Sequence, residues 1–231
     1  LPNSESRQAS LVLLSGGLDS AVLAADEAQS RTVHPVYVAG GLAWETAELD
    51  IVRRLLSQPP LAGHTEPLVE LEFGMRDVYA PTHWAITGTP PAYDTPDEDV
   101  YLHGRNVALI SKTAVYAATR NISRIALAPL AGNPFPDATP EFLSAFSTAL
   151  SLGLNTPIEI VTPYSKLHKE DVIRRGATLG VPFELTFSCM NPQGPEGTTH
   201  CGLCSKCRER RDAFAAAGIV DPTTYANPSP R

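Results

Sequence analysis

Apolar residues along the chain gather in short β-branched or aliphatic runs that alternate with longer amphipathic segments, the pattern that builds βαβ units around a parallel sheet. The strand-sized runs are Leu11 to Leu14, Val33 to Val38, Pro67 to Leu71, Arg124 to Ala128 and Ile158 to Val161. Segments of helical period cover Asp19 to Gln29, Trp44 to Ser57, Asn106 to Arg120, Pro140 to Leu152 and Lys169 to Leu179. Thr139, Pro140 and Glu141 open one of these with an N-cap, a proline in the first turn and an acid near the positive dipole end. The expected class is α/β, a parallel five-stranded sheet flanked by helices. Two stretches break the alternation. Residues 78–99 carry prolines at 81, 90, 91 and 96 and a glycine at 88, which predicts a lid or binding loop. Phe187 to His200, rich in Asn, Pro, Gly and Thr, reads as a second loop.

A length of 231 residues fits one domain with a small appendage, and 43% hydrophobic against 19% charged residues are globular values that exclude disordered and fibrous classes. The apolar runs stop well short of the roughly 20 residues a membrane helix needs. With no basic, apolar leader before the first strand, a cytoplasmic location is expected. A formal charge of −7 opposes nonspecific adhesion to nucleic acid, which needs clustered Lys and Arg. Arg208, Arg210 and Arg211 are the one dense basic run, and with Glu209 among them they read as a solvated helix face.

The most informative string is Ser15, Gly16, Gly17, Leu18, Asp19 and Ser20, directly after the first strand run and at the start of a helix. Paired glycines let consecutive backbone N–H groups converge on an anion, and the helix N-terminus behind them adds its dipole. Ser15 and Ser20 offer hydroxyl donors to phosphate oxygens, whereas Asp19 would repel a bare phosphate and makes sense beside a bound Mg²⁺. A Walker A loop or a dinucleotide fingerprint would need other glycine and lysine spacings. A bare Gly-Gly pair can also be a strand-to-helix turn and nothing more.

All four cysteines fall in one window. Cys201, Cys204 and Cys207 form a Cys-x2-Cys-x2-Cys run, and Cys189 lies eleven intervening residues upstream. Four thiolates suit a tetrahedral structural zinc ion. Two disulfides and an iron–sulfur cluster are the other readings, the first disfavoured without an export signal. His200 could replace one cysteine or stand exposed beside the site. A zinc ion saturated by four thiolates has no position left for substrate, so the metal is assigned to folding. The expected organisation is an α/β domain over 1–183 and a small helical, zinc-binding subdomain over 184–231.

The Ser-Gly-Gly-Leu-Asp-Ser string resembles the PP-loop of the N-type ATP pyrophosphatase superfamily. That resemblance implies that the loop grips the pyrophosphate of ATP while an acceptor oxygen attacks the α-phosphate. Together with Cys-x11-Cys-x2-Cys-x2-Cys, the chain resembles the 7-cyano-7-deazaguanine synthase family, QueC or ExsB. Gly104, Arg105 and Asn106 match its Gly-Arg-Asn. Pro136, Asp137, Pro140, Glu141 and Phe142 match its Tyr-Pro-Asp-Cys-Arg-x-Glu-Phe region, and Thr162, Pro163, Leu167, Lys169 and Glu170 match its Thr-Pro-Leu and Thr-Lys-Ala-Glu segments.

The resemblance implies an ATP-dependent ligase of queuosine biosynthesis. Such an enzyme activates the carboxylate of 7-carboxy-7-deazaguanine, forms the amide with ammonia and dehydrates it to the nitrile preQ0. It implies structural Zn²⁺ on Cys189, Cys201, Cys204 and Cys207, Mg²⁺ with ATP, and a homodimer without membrane or nucleic-acid partners. ATP contacts fall to Leu14, Ser15, Gly16, Gly17, Leu18, Asp19, Ser20, Val38, Gly104 and Arg105. Catalysis falls to Asp19, Arg105 and Lys169, and the acceptor substrate to Asn106, Phe135 and Asp137. On spacing alone Arg105 and Lys169 could be surface or capping cations, and Asp137 could cap the following helix rather than read a guanine-like edge.

This chain also departs from the family. Val38 to Glu45 replaces a Gln-Arg-His segment, Ala138 and Thr139 replace Cys-Arg, and Phe135 replaces Tyr. These changes fall where an acceptor would be recognised, so a QueC-like ligase joining a deazaguanine to another molecule is the alternative. A tRNA sulfurtransferase and a zinc-stabilised binding module are the more distant ones. Trp44 could stack a base or anchor packing; His64, His83 and Trp84 carry no motif.

Overall fold

The structure, a computed structural model, describes residues 8–195 and 197–229. In chain order it runs β1 (Ala9–Leu13), α1 (Leu18–Glu27), β2 (Thr32–Ala39), α2 (Glu45–Leu56), β3 (Val69–Glu72), α3 (Trp84–Thr87), α4 (Arg105–Arg120), β4 (Arg124–Ala126), α5 (Pro140–Leu154), β5 (Glu159–Val161), α6 (Lys169–Leu179) and α7 (Ser205–Ala217). All five strands are parallel, in the order β3-β2-β1-β4-β5. The α/β class and the five strand runs are those the periodicity predicts, with ends displaced by up to a few residues.

Alternation along the strands sorts the core to two faces. Val12, Val33, Tyr37 and Ala126 pack with α1, α2, α6 and α7, while Leu11, Val36, Val38 and Ile125 face Ala114 and Ala117 of α4 and Ile158. Side chains of period two thus serve both layers of helices, as a sheet buried on both sides requires. Thr139 caps α5 as predicted, its Oγ1 accepting from the Phe142 N–H at 3.2 Å. Gly176 of α6 lets α1 approach, since a Cβ there would stand 2.6 Å from Val22 and 2.7 Å from Phe183.

Two expectations are corrected. The Arg208–Arg211 run does lie on a helix, α7, but Arg210 is 1% exposed and turned inward. Its guanidinium donates to Thr186 Oγ1 at 2.9 Å, to the Phe183 carbonyl at 2.8 Å and to Ser188 Oγ at 3.3 Å, and also to Thr223. A buried arginine so fully bonded is a strut between the cysteine segment and the chain before it. His200 is buried rather than exposed, with its Nε2 accepting from the Ser188 N–H at 3.1 Å. Burial holds its imidazole pKa down near 3. The 78–99 stretch, expected as a lid or binding loop, carries the short α3 with Ala85 fully buried.

Phe214 of α7 joins the same core as α1 and α6 and meets Phe183 edge-on at 5.3 Å. The C-terminal segment is thereby packed onto the sheet layer, while the outer limits of the expected domains, 1 and 231, lie outside the described residues. Among the described residues no helix is long and apolar enough to cross a membrane.

Candidate active site

The strand order reverses between β1 and β4, and in an open parallel sheet the crevice at the carboxyl ends of such strands is where ligands bind. The turn after β1 sits there. Gly16 has φ +78°, and a Cβ on it would press on Ile51 and Val52 of α2 at 3.2 Å, so glycine is required twice over. Gly17 caps α1 without any side-chain cap, which leaves the helix N–H groups facing the crevice. Ser20 Oγ donates to the Gly17 carbonyl at 3.1 Å and lies 3.3 Å from both Ser15 N and Ser15 Oγ, which closes the turn. The Gly16 carbonyl accepts from the Phe187 N–H at 2.7 Å, tying the turn to the segment before Cys189.

Two adjoining cavities, of about 280 and about 260 Å³, open on the turn. The first runs over the strand ends and is lined by Leu14, Ser15, Gly17, Asp19, Ser20, Val38, Arg105, Asn106, Phe135 and Asp137 of the expected residues. The second takes Leu18 and Lys169 as well, with Trp44, Trp84, Phe187, Met190, Lys206 and Glu209. Gly16 and Gly104 line neither; Gly104, at φ +75°, sits at the N-cap of α4 and presents the next residue. The Arg105 guanidinium makes no hydrogen bond among the described residues and projects where the two cavities meet.

Asp19 is the centre of the charge arrangement. Its Oδ2 accepts from Lys169 Nζ at 2.6 Å, and Lys169 also meets Glu209 Oε1 at 2.9 Å, whose other oxygen meets Lys206 at 2.6 Å. Burial works against the Lys169 charge, but the two carboxylates outweigh it and raise its pKa above the usual lysine value. Burial likewise pushes the Glu209 carboxyl up, and the two lysines more than offset it and hold it down at about 2. Asp19 Oδ1, by contrast, is buried and has no hydrogen-bond partner among the described residues. A buried carboxylate oxygen left without a partner beside the glycine turn fits a hard divalent cation such as Mg²⁺. Lys169 therefore fixes the Asp19 carboxylate.

Asp137 caps neither the helix that follows it nor empty space. Its Oδ2 accepts from the Asn106 N–H at 3.0 Å and its Oδ1 from Asn106 Nδ2 at 3.2 Å, so it fixes the start of α4 and with it Arg105. Phe135 stacks on Tyr101 at 5.4 Å. Trp44 is buried and stacked on Trp84, centroids 5.5 Å apart and planes within 11°, so one ring anchors and the pair walls the second cavity. In place of a Gln-Arg-His segment, Glu45 folds back to accept the N–H groups of Gly40 and Gly41 at 2.8 and 2.7 Å.

The four cysteines are buried, and their Sγ atoms all lie within 4.8 Å of one another. Cys201 and Cys207 are 3.9 Å apart and Cys204 and Cys207 3.5 Å, close to the ~3.8 Å edge of a tetrahedron with metal–sulfur bonds of about 2.3 Å. These separations are too long for disulfide bonds. Backbone N–H groups of Asn191 and Cys201 point at Cys189 Sγ and that of Leu203 at Cys201 Sγ, polarity that suits thiolates. The set fits one metal ion. Cys189 also lines the second cavity, so the metal segment shapes its wall.

Sequence reasoning missed Glu48, Tyr37, Glu209, Lys206 and Trp84. A signal existed for Glu48: it shares the helical face of Trp44, Ala47, Ile51, Val52 and Leu55, all buried, and an acid on such a stripe is anomalous. Burial raises its carboxyl pKa to about 7 against the opposing pull of Arg105.

A family model described as "Queuosine biosynthesis protein QueC" matches residues 9–218. A 7-cyano-7-deazaguanine synthase of Azoarcus sp. (strain BH72) is 35% identical, over 93% of this chain and 96% of that protein. Proteins of the same name from Methanothermobacter thermautotrophicus and Methanosphaerula palustris are 30% and 33% identical, each over 92% of this chain and 97% of their own length.

Proposed function

The chain belongs to the QueC family of queuosine biosynthesis proteins, and on that premise we propose that it makes 7-cyano-7-deazaguanine from 7-carboxy-7-deazaguanine and ammonia, driven by ATP. The observation that carries the ATP-dependent step is the pairing of an open glycine turn with the buried, unpartnered Asp19 Oδ1 at the mouth of both cavities. A carboxylate oxygen is a poor leaving group, and transfer of adenylate to it creates a good one. The turn's N–H groups and the Ser15 hydroxyl hold departing pyrophosphate, joined by the Ser20 hydroxyl once it turns from the Gly17 carbonyl, and Arg105 spans the reacting phosphate and the acceptor carboxylate with its planar fork. Lys169 keeps Asp19 in place. Mg²⁺ held by Asp19 would supply charge neutralisation on the phosphates.

In this reading the first cavity takes ATP over Leu14 and Val38, with Asn106 and Asp137 in its wall, and the second, which Leu18 lines, takes the heterocycle between Phe135 and the Trp44–Trp84 wall. Zinc on the four cysteines is structural, in a subdomain over 184–231 set against the ATP-binding 1–183. The working form is a cytoplasmic homodimer. All four cysteines of the chain stand in the cluster, which speaks against persulfide chemistry on tRNA.

One observation favours a second reading. The closed Glu45 turn and Trp44, which stacks on Trp84, occupy the stretch where the chain departs from the family, which is compatible with joining the activated deazaguanine to an acceptor other than ammonia. Incubation with ATP, Mg²⁺, ammonia and 7-carboxy-7-deazaguanine, read by mass spectrometry, tests both: the nitrile is the expected product. ATP consumption without amide or nitrile would transfer support to the second reading.

A further inference from the structure

The geometry points to Glu48 as the base that takes the proton from the attacking nitrogen when ammonia replaces adenylate on the acceptor's acyl carbon. The inference rests on the adenylating reading above and adds a residue to it. Ammonia is held as ammonium in neutral water, and even the free base must shed a proton as its C–N bond forms. A group within the crevice has to accept it.

Elimination narrows the choice. Lys169 is locked in its charged form between two carboxylates. Both oxygens of Glu45 accept backbone N–H groups, and both oxygens of Asp137 accept from Asn106. Asp19 has one oxygen on Lys169 and the other in the cation's seat. Glu48 lines both cavities at their seam, with Arg105 and the apolar Val100, Leu102 and Phe135. Tyr37 of β2 donates to its Oε2 at 3.0 Å, which fixes the carboxyl's orientation.

The groups that bear on its charge are Tyr37 from β2, Glu45 and Trp44 at the head of its own helix, and Arg105 from α4. Burial raises its pKa toward neutrality and Arg105 limits the rise, so both protonation states are accessible at working pH. In the step itself the nitrogen lone pair bonds the acyl carbon, the carbon–oxygen bond to the phosphate breaks with its electron pair leaving on AMP, and one N–H proton passes to the Glu48 carboxylate. The acid formed returns that proton to solvent. An ammonium ion that enters first gives one proton to the carboxylate, which frees its lone pair, and Glu48 passes that proton to solvent before it takes the second as the C–N bond forms.

The test separates the two half-reactions in the zinc-loaded, full-length protein. ATP–pyrophosphate exchange with 7-carboxy-7-deazaguanine reports adenylation, and ammonia-dependent product release reports the second half. Glu48→Gln should retain exchange, lose ammonia-dependent release by about a hundredfold, and still yield hydroxamate with hydroxylamine, a nucleophile reactive enough to trap acyl adenylates unaided. Exchange retained with undiminished use of ammonia overturns the assignment of Glu48 alone. Absence of exchange in the unsubstituted protein overturns the adenylate reading and the assignment with it. If Glu48→Gln loses exchange too, Glu48→Asp, a carboxylate shorter by one methylene, decides: restored exchange supports the base when ammonia use recovers less than hydroxamate formation, and exchange, hydroxamate and ammonia use depressed in equal proportion mark a merely structural carboxylate and overturn it.

Discussion

One wall of the crevice is the Ser15–Ser20 turn, six contiguous residues shaped by their backbone, whereas the other wall draws Glu48 from α2, Lys169 from α6 and Glu209 from α7. The first wall depends on a φ of +78° and the lack of a Cβ at Gly16. The second depends on side-chain charges balancing across helices far apart in sequence. Asp19 belongs to both, since it begins α1 beside the turn and is gripped by Lys169 150 positions later. The lesson is that a local rule sets the shape of the turn, while tertiary packing sets which charges surround it.

Removing the metal should break the far wall most completely. A structural zinc site contributes on the order of 10 kcal/mol to the fold it closes, so chelation or Cys204→Ser should unfold the cysteine segment and slacken α7. Hydrogen exchange should show lost protection over 184–229, with β1 and β4 still protected. Asp19→Asn, which keeps the shape and removes the charge shared by both walls, should lower kcat/KM for ATP by about a thousandfold, near 4 kcal/mol. Steady-state kinetics with the acceptor saturating would check it. Gly16→Ala attacks the near wall alone. The left-handed backbone costs roughly 1–2 kcal/mol there, and the displaced turn should weaken nucleotide binding measured by calorimetry while leaving metal content unchanged.

The two acids of the far wall should give opposite pH slopes. Glu209, held at about 2 in the folded protein against 4.5 in its ordinary state, contributes stability that is complete above about 4.5 and lost as pH falls toward about 2. Glu209→Gln should flatten that acid limb in thermal melts. Glu48, raised to about 7, ionises first in the unfolded chain, so its cost grows as pH rises from about 4.5 to about 7. Glu48→Gln should therefore raise the melting temperature above neutrality and leave it nearly unchanged in acid.

Legibility follows the same division. The strand runs, the glycine turn, the cysteine cluster and the Thr139 cap were readable because each is a short-range pattern with one physical solution. Asp19 stood out because an acid directly behind a glycine turn needs an explanation. Lys169 was found through its motif but not its partners, since nothing local tells that Glu209 of α7 will meet it. Arg210 was misread as solvated because a charge run usually is; only the fold shows Thr186, Ser188 and Phe183 waiting for it. The carboxylate of Asp137 turned out to serve α4, which lies before it in sequence, rather than the helix it precedes.

The most direct test of the account follows the acceptor's own oxygen. If adenylate is transferred to the carboxylate at the glycine turn, 7-carboxy-7-deazaguanine labelled with oxygen-18 in that carboxylate should deliver label to the phosphate of AMP, as read by mass spectrometry. Unlabelled AMP, or ADP and inorganic phosphate as the nucleotide products, would contradict it.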